Sequence, residues 1–267
     1  IKYTERKAIT IPFYPSEQEQ DLDERVQLLL EREDSYALPK RHRHLTGLIL
    51  RKLLSSSTKA VLNNLQILKY RLEKLASDGE DDSAIDIVQQ IITDDDLEED
   101  FVDELDSTSE AQEKKPIDFS ALHAEISELE ILIKKAEQIG VDTKSKELLV
   151  GLEKGFVQLA EMGAAKKVII FTESMRTQQY LAEFLENNGY ADKVVTFSGT
   201  NNTPQANKIY QQWKEQYQGS SRVTGSAQID KRSALIDHFK EHAEIMIATE
   251  AAAEGVNLQF CSLLINY

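Results

Sequence analysis

Apolar stretches of this chain end three times in small hydroxyl residues. They read Phe171-Thr172-Glu173-Ser174, then Phe197-Ser198-Gly199-Thr200, then Ala248-Thr249-Glu250 followed by Ala251, Ala252 and Ala253. Hydroxyls and unpaired backbone amides at helix N-termini suit phosphate groups, because the helix dipole and the free N–H groups both favour an anion. Ser and Thr also cap helices for purely structural reasons, so any one of these positions reads equally well as a cap.

Other chemistry does not assemble. Glu173 and Glu250 are the sole acid candidates at these ends. His238 and His242 stand four apart without the glutamate of a zinc helix, and Cys261 is alone in an apolar run, so neither makes a site. There is no Gly-x-Ser-x-Gly elbow and no Gly-x-x-x-x-Gly-Lys-Ser/Thr loop, so nothing in the chain cradles a triphosphate. The magnesium-holding acidic motif is missing too, since Asp103-Glu104 follows no apolar strand.

The hydroxyl ends need a scaffold, and the pattern supplies one. Lys167 to Phe171, Lys193 to Phe197, Glu244 to Ala248 and Ser262 to Asn266 are short runs rich in Val and Ile, as strands buried on both faces are. Helical patterns separate them, Tyr180 to Leu185 and Ala234 to Phe239, with Gly189 placed to close the first in a left-handed turn. Alternating strand and helix predicts a parallel sheet in a three-layer α/β sandwich, whose ligands lie beyond the strands' carboxyl ends. The stretch from Asn201 to Gln228, with Trp213 and the loop Gly219 to Ser226, enlarges this unit; Trp213 is open to packing or to base stacking.

Ahead of Asp142 the texture is helical. Val61, Leu65, Leu68, Leu72 and Leu75 recur at helical spacing, as do Leu122, Ile126, Leu129, Ile133 and Ala136, which predicts an antiparallel amphipathic pair. Lys7 to Phe13 alternates as a short strand closed by Pro12 and Pro15, before a helix over Glu17 to Glu33. Lys40, Arg41, His42, Arg43 and His44, with Arg51 and Lys52, form the densest basic run, either a solvated face or a phosphate contact.

The formal net charge of −15 disfavours a nucleic-acid ligand until its distribution is examined. Sixteen acids and no base lie between Asp78 and Glu113, which reads as a solvated mobile segment; Asp94 to Asp96 lacks the spacing and glycine of a calcium loop. Without that block, 30 acids face 31 bases. No apolar run approaches a membrane span, so a soluble cytoplasmic protein is expected. The chain begins at Ile1 and stops at Tyr267 within an apolar run, the look of a fragment.

The stretches Ile170 to Ser174, Phe197 to Thr200, Arg232 to Phe239 and, most specifically, Thr249-Glu250-Ala251-Ala252-Ala253-Glu254-Gly255-Val256-Asn257-Leu258-Gln259 resemble the second RecA-like lobe of superfamily-two helicases, closest to the bacterial Swi/Snf-like ATP-dependent DNA helicases and translocases. The resemblance spans about Asp142 to Tyr267. It implies nucleic-acid contacts at Thr172, Ser174, Ser198, Gly199, Thr200, Arg232, Thr249 and Glu250, and a nucleotide approach at Glu254, Gly255 and Asn257. It further implies ATP with magnesium, a DNA or alternatively an RNA partner, and a first motor lobe carrying the triphosphate loop. Glu254 and Ile229 stand where DEAD-box relatives carry arginine and glutamine, which argues against that subgroup.

The resulting expectation is a strand segment at 1–15 joining from the first lobe, a helical insertion at 16–140 with its acidic segment at 78–113, and a RecA-like α/β/α lobe at 142–267 that stops short of the last motif. Alone, it is not expected to hydrolyse ATP. The rival readings are a protein-docking module built on the helical hairpin and a phosphate-binding enzyme on the same sheet.

Overall fold

The computed structural model describes residues 8–32, 34–38, 47–49, 51–52, 56–78, 117–249, 252 and 256–267. The basic run 40–44 and nearly all of the acidic segment lie outside these.

Helices α1 (Glu17–Glu31), α2 (Thr58–Asp78) and α3 (Phe119–Ile139) form a helical unit. Ser16 and Glu19 start α1 as a reciprocal capping box, and Asp118 caps α3 through the amides of Ser120 and Ala121. One apolar core joins them: Leu22, Val26 and Leu29 of α1, Leu65, Leu68 and Leu72 of α2, Leu122, Leu129 and Leu132 of α3. Helices α2 and α3 run antiparallel, because the Thr58 amide meets Asp142 at 3.4 Å while Lys69 meets Glu130 at 3.2 Å. Leu132 takes the deep position expected of Ile133, which is only partly buried.

Two charged side chains are buried within this unit. Glu125 accepts the hydroxyl of Ser35 and the amides of Tyr36 and Ala37, at 2.7 and 3.2 Å for the amides. From the other side the Arg71 guanidinium donates to the carbonyls of Tyr36 and Ala37, at 2.6 and 2.9 Å. Each charge is thereby neutralised by fixed dipoles of one short loop.

The second unit is a four-stranded parallel sheet ordered β2-β3-β1-β4, with β1 Val168–Thr172, β2 Val194–Phe197, β3 Ile245–Thr249 and β4 Leu263–Asn266. Helices α4 (Thr143–Glu161) and α5 (Met175–Leu185) cover one face, burying Leu152, Leu181, Val168, Ile170 and Ile247. On the other face α6 (Pro204–Gln216) and α7 (Ala227–Glu241) bury Ile209, Phe239, Ile169, Val195 and Met246. This is the three-layer α/β sandwich that the alternation predicts. Strands β1 to β3 are apolar on both faces because both faces are covered. Edge strand β4 is covered on one face only, and Leu264 on the other is 61% exposed.

Some expectations fail. The strand foreseen over Lys7 to Phe13, within the 1–15 segment, is absent from its described part: residues 8–16 carry no ladder, and Pro12 and Pro15 have no N–H to give one. Instead the segment lies along α4, with Ile11 against Gly151 and Phe13 beneath Lys144. Helix α4 itself has two mid-helix glycines, Gly151 and Gly155, and a Cβ on Gly155 would stand 2.5 Å from Leu263 of β4. The stretch after Asn201 is a full crossover helix, capped by Thr203 with Pro204 in its first turn. Trp213 packs there, 5% exposed, and donates its Nε1–H to Asp237 at 2.7 Å.

Candidate nucleic-acid interface

Strand register places the hydroxyl ends side by side. Thr172 of β1 pairs with Thr249 of β3, and Phe197 of β2 pairs with Ala248, so Ser198 stands level with Thr249 one strand further on. Neighbouring strands lie about 5 Å apart. The three positions therefore form one row across the carboxyl edge of three adjacent strands.

All three side chains are buried, and local turns explain how. Thr172 Oγ1 donates to the Ser174 carbonyl at 3.3 Å, and Ser174 Oγ caps α5 by accepting the Thr177 amide at 3.1 Å. Ser198 and Asn201 bond reciprocally, Ser198 N–H to Asn201 Oδ1 at 2.9 Å and Asn201 N–H to Ser198 Oγ at 3.2 Å. Asn201 holds a left-handed φ of 50° to close this turn. Gly199 is half-buried and Thr200 is exposed, so the tip of the turn faces solvent.

Arg232 reaches this edge from α7. Its guanidinium donates to the Ala252 carbonyl at 2.7 Å and lies 5.1 Å from the centre of the Phe197 ring, bridging the end of β2 to the stretch after β3. Lys231 beside it donates to Asn202 at 2.9 Å, adding a second cation next to the Ser198 turn. Glu250, Glu254 and Gly255 lie outside the described residues. Asn257 is exposed, and its side-chain oxygen accepts the Gln259 amide at 3.3 Å. Thus Thr172, Ser198, Thr249 and Arg232 come together, Ser174 sits behind them as a cap, and Thr200 stands at the outer rim.

Gln178 of α5, fully buried, is a supporting residue that the motif reading misses. Its carboxamide donates to the carbonyls of Phe197 and Ile247, both at 2.9 Å, fixing the ends of β2 and β3 together. The signal was present, since Gln178 interrupts the apolar stripe with Leu181 and Leu185, and a polar group there needs partners. Thr177 and Asn201 were equally overlooked.

The remaining chemistry-bearing groups stay apart from the edge. Burial pushes the Cys261 thiol up to about 11, so it is no nucleophile at neutral pH. Burial lowers the His238 pKa, with His242 and Lys167 adding to the effect, and no metal-holding cluster of His, Cys, Asp or Glu exists among the described residues. Among those residues no helix is long and apolar enough to cross a membrane.

Residues 143–267 match the family described as helicase conserved C-terminal domain. A Bacillus subtilis (strain 168) protein named uncharacterized ATP-dependent helicase YqhH is 32% identical over 176 residues, covering 58% of this chain and 31% of that protein. The chain therefore spans less than a third of that curated relative. A crystal structure of the Pyrococcus furiosus Hef helicase domain aligns with 94% of this chain and 45% of its own, at 16% identity and a TM-score of 0.39, below what establishes a shared fold. The residues matched by that family, 143–267, run from α4 to β4 and contain the parallel sheet with its row of strand ends.

Proposed function

We propose that this chain supplies the second, RecA-like motor lobe of an ATP-driven DNA helicase or translocase of the Swi/Snf-like kind, working in the cytoplasm beside a first lobe that carries the triphosphate loop. The observation that carries the reading is the level row of Thr172, Thr249 and Ser198, flanked by Arg232 and Lys231. A phosphodiester strand following the carboxyl edge would meet the rim at Gly199 and Thr200, then the two cations, with the neutral buried hydroxyls holding the turns in place. ATP with magnesium supplies the anhydride whose hydrolysis drives movement. The family resemblance assigns Glu254, Gly255 and Asn257 to the nucleotide side, and the Asn257 carboxamide suits a ribose hydroxyl. Arg232 also holds the Ala252 carbonyl, between β3 and the positions assigned to the nucleotide, so strand binding and nucleotide binding would be coupled through it.

The test is anisotropy of a labelled DNA duplex and of its RNA counterpart, titrated with the chain across a series of salt concentrations. Binding should weaken steeply with salt, and Arg232→Ala should make the slope shallower by about one contact. The chain alone should show no ATP turnover, with or without DNA, since it has no triphosphate loop. Salt-independent binding, or an Arg232→Ala slope equal to that of the parent, would refute the strand path and leave the docking-module reading in its place.

A further inference from the structure

The helical unit does more than sit beside the lobe, because it meets the back of a strand-end turn through buried hydroxyls. Thr177, in the first turn of α5, is fully buried; its Oγ1 lies 2.7 Å from Ser56 Oγ and 3.0 Å from Ser57 Oγ, the two residues just ahead of α2. The same oxygen accepts the Ser174 hydroxyl at 3.1 Å, while the Thr177 amide donates back to Ser174 Oγ. Ser174 in turn anchors Thr172 through its carbonyl. A chain of hydroxyls thus runs from α2 to Thr172, with no charged group in it. Alongside it Arg176 donates to Asn64 of α2 at 2.8 Å, and Asn64 is itself buried and bonded to the Ala60 carbonyl.

This arrangement is more than packing requires. Two apolar residues would bury an interface of this size at lower desolvation cost than four hydroxyls that must all find partners. A hydroxyl has one proton to give and accepts two. The cluster is therefore directional, and the orientation of the Ser174 cap depends on what Ser56 and Ser57 donate or accept.

We propose that the helical unit is a positioning element for the 172–174 turn. Ser56, Ser57 and Thr177 are its positioning residues, and a phosphate-bearing strand binds that turn well only while α2 is seated. The claim rests on the strand path proposed above, and it gives the helical unit a role in nucleic-acid affinity that needs no direct contact with the strand.

The experiment uses the full chain, with Thr177→Val, Thr177→Ser and the Ser56→Ala/Ser57→Ala double variant. Affinity for the labelled duplex should fall by about threefold to tenfold in Thr177→Val and in the double variant, the fold equivalent of one lost hydrogen bond, and return close to parent in Thr177→Ser. Amide hydrogen exchange without any nucleic acid is read in parallel. Thr177 and Gln178, whose amides bond to Ser174, should exchange faster in the double variant while Met246 and Ile247 of β3 keep their protection. Unchanged protection at Thr177 and Gln178 overturns the positioning claim, as does unchanged affinity with altered protection. A parent chain that binds no duplex, with exchange changed as expected, upholds the positioning of the turn and instead removes the strand path.

Discussion

The Tyr36-Ala37 loop of the helical unit and the carboxyl edge of the α/β lobe both bury polar backbone, and they satisfy it with opposite chemistry. In the helical unit a carboxylate and a guanidinium, Glu125 and Arg71, grip the Tyr36-Ala37 loop from either side. In the lobe neutral groups do the equivalent work: Gln178 joins two strand ends, while Ser174, Thr177, Ser198 and Asn201 close the turns. A buried charge demands complete partnering and leaves its loop with one arrangement. These neutral groups add no carboxylate to the strand ends beyond Glu173, so an anion on the strand path proposed above would meet less repulsion than buried carboxylates would exert.

Removing the charged clamp should produce the largest effect. Glu125→Leu removes the acceptor shared by the Ser35 hydroxyl and the Tyr36 and Ala37 amides, and is expected to destabilise the helical unit by about 3 kcal/mol. Trp213, the chain's single tryptophan, reports the lobe, so far-ultraviolet dichroism should lose its helical signal at lower denaturant than Trp213 emission changes. Coincident transitions at the parent midpoint would show that the clamp is dispensable.

The neutral counterpart should cost less. Gln178→Leu leaves the Phe197 and Ile247 carbonyls without their shared donor and should lower lobe stability by about 2 kcal/mol, read this time in Trp213 emission. A loss larger than that of Glu125→Leu would invert the contrast between the two units.

Thr249→Ala sharpens the comparison functionally. In a protein carrying both lobes, ATP binding should remain nearly intact while DNA stimulation of hydrolysis falls several-fold. As a mere cap, Thr249 would cost about 1 kcal/mol in a melting curve and leave stimulation alone.

The smallest effect concerns pH at the seam between the units. Burial raises the Glu19 pKa, but the Thr143 and Ser16 amides together with hydroxyl bonds outweigh it and hold the carboxyl below the usual glutamate range. A depressed folded pKa contributes stability above the unfolded value, and that contribution disappears as pH falls through the folded one. Acid titration of the melting temperature should therefore show a loss below about pH 4.5 that is reduced in Glu19→Gln.

How far the sequence reaches is clear from particular elements. Strands β1 to β4 lie within a residue of their expected positions because runs rich in Val and Ile between helical patterns have few other readings. Helix α4 was not foreseen, since Gly151 and Gly155 break its apolar stripe at the points where Ile11 and Leu263 approach. The strand-end hydroxyls were legible because each closes an apolar run. Their inward turn was not, for it depends on Asn201 and on Ser56 and Ser57, the latter two more than a hundred residues from Thr177 in sequence.

The junction between α3 and α4 has a mechanical consequence. Only Gly140, Val141 and Asp142 separate the two helices, and Asp142 both caps α4 through Ser145 and accepts the Thr58 amide at the root of α2. Helices α2 and α3 are thus clamped to the lobe at one end, and with 21 residues each they extend about 30 Å from it. The pair is a lever arm: a lobe rotation of roughly ten degrees would carry its far tip, where α2 ends and α3 begins, through about 5 Å.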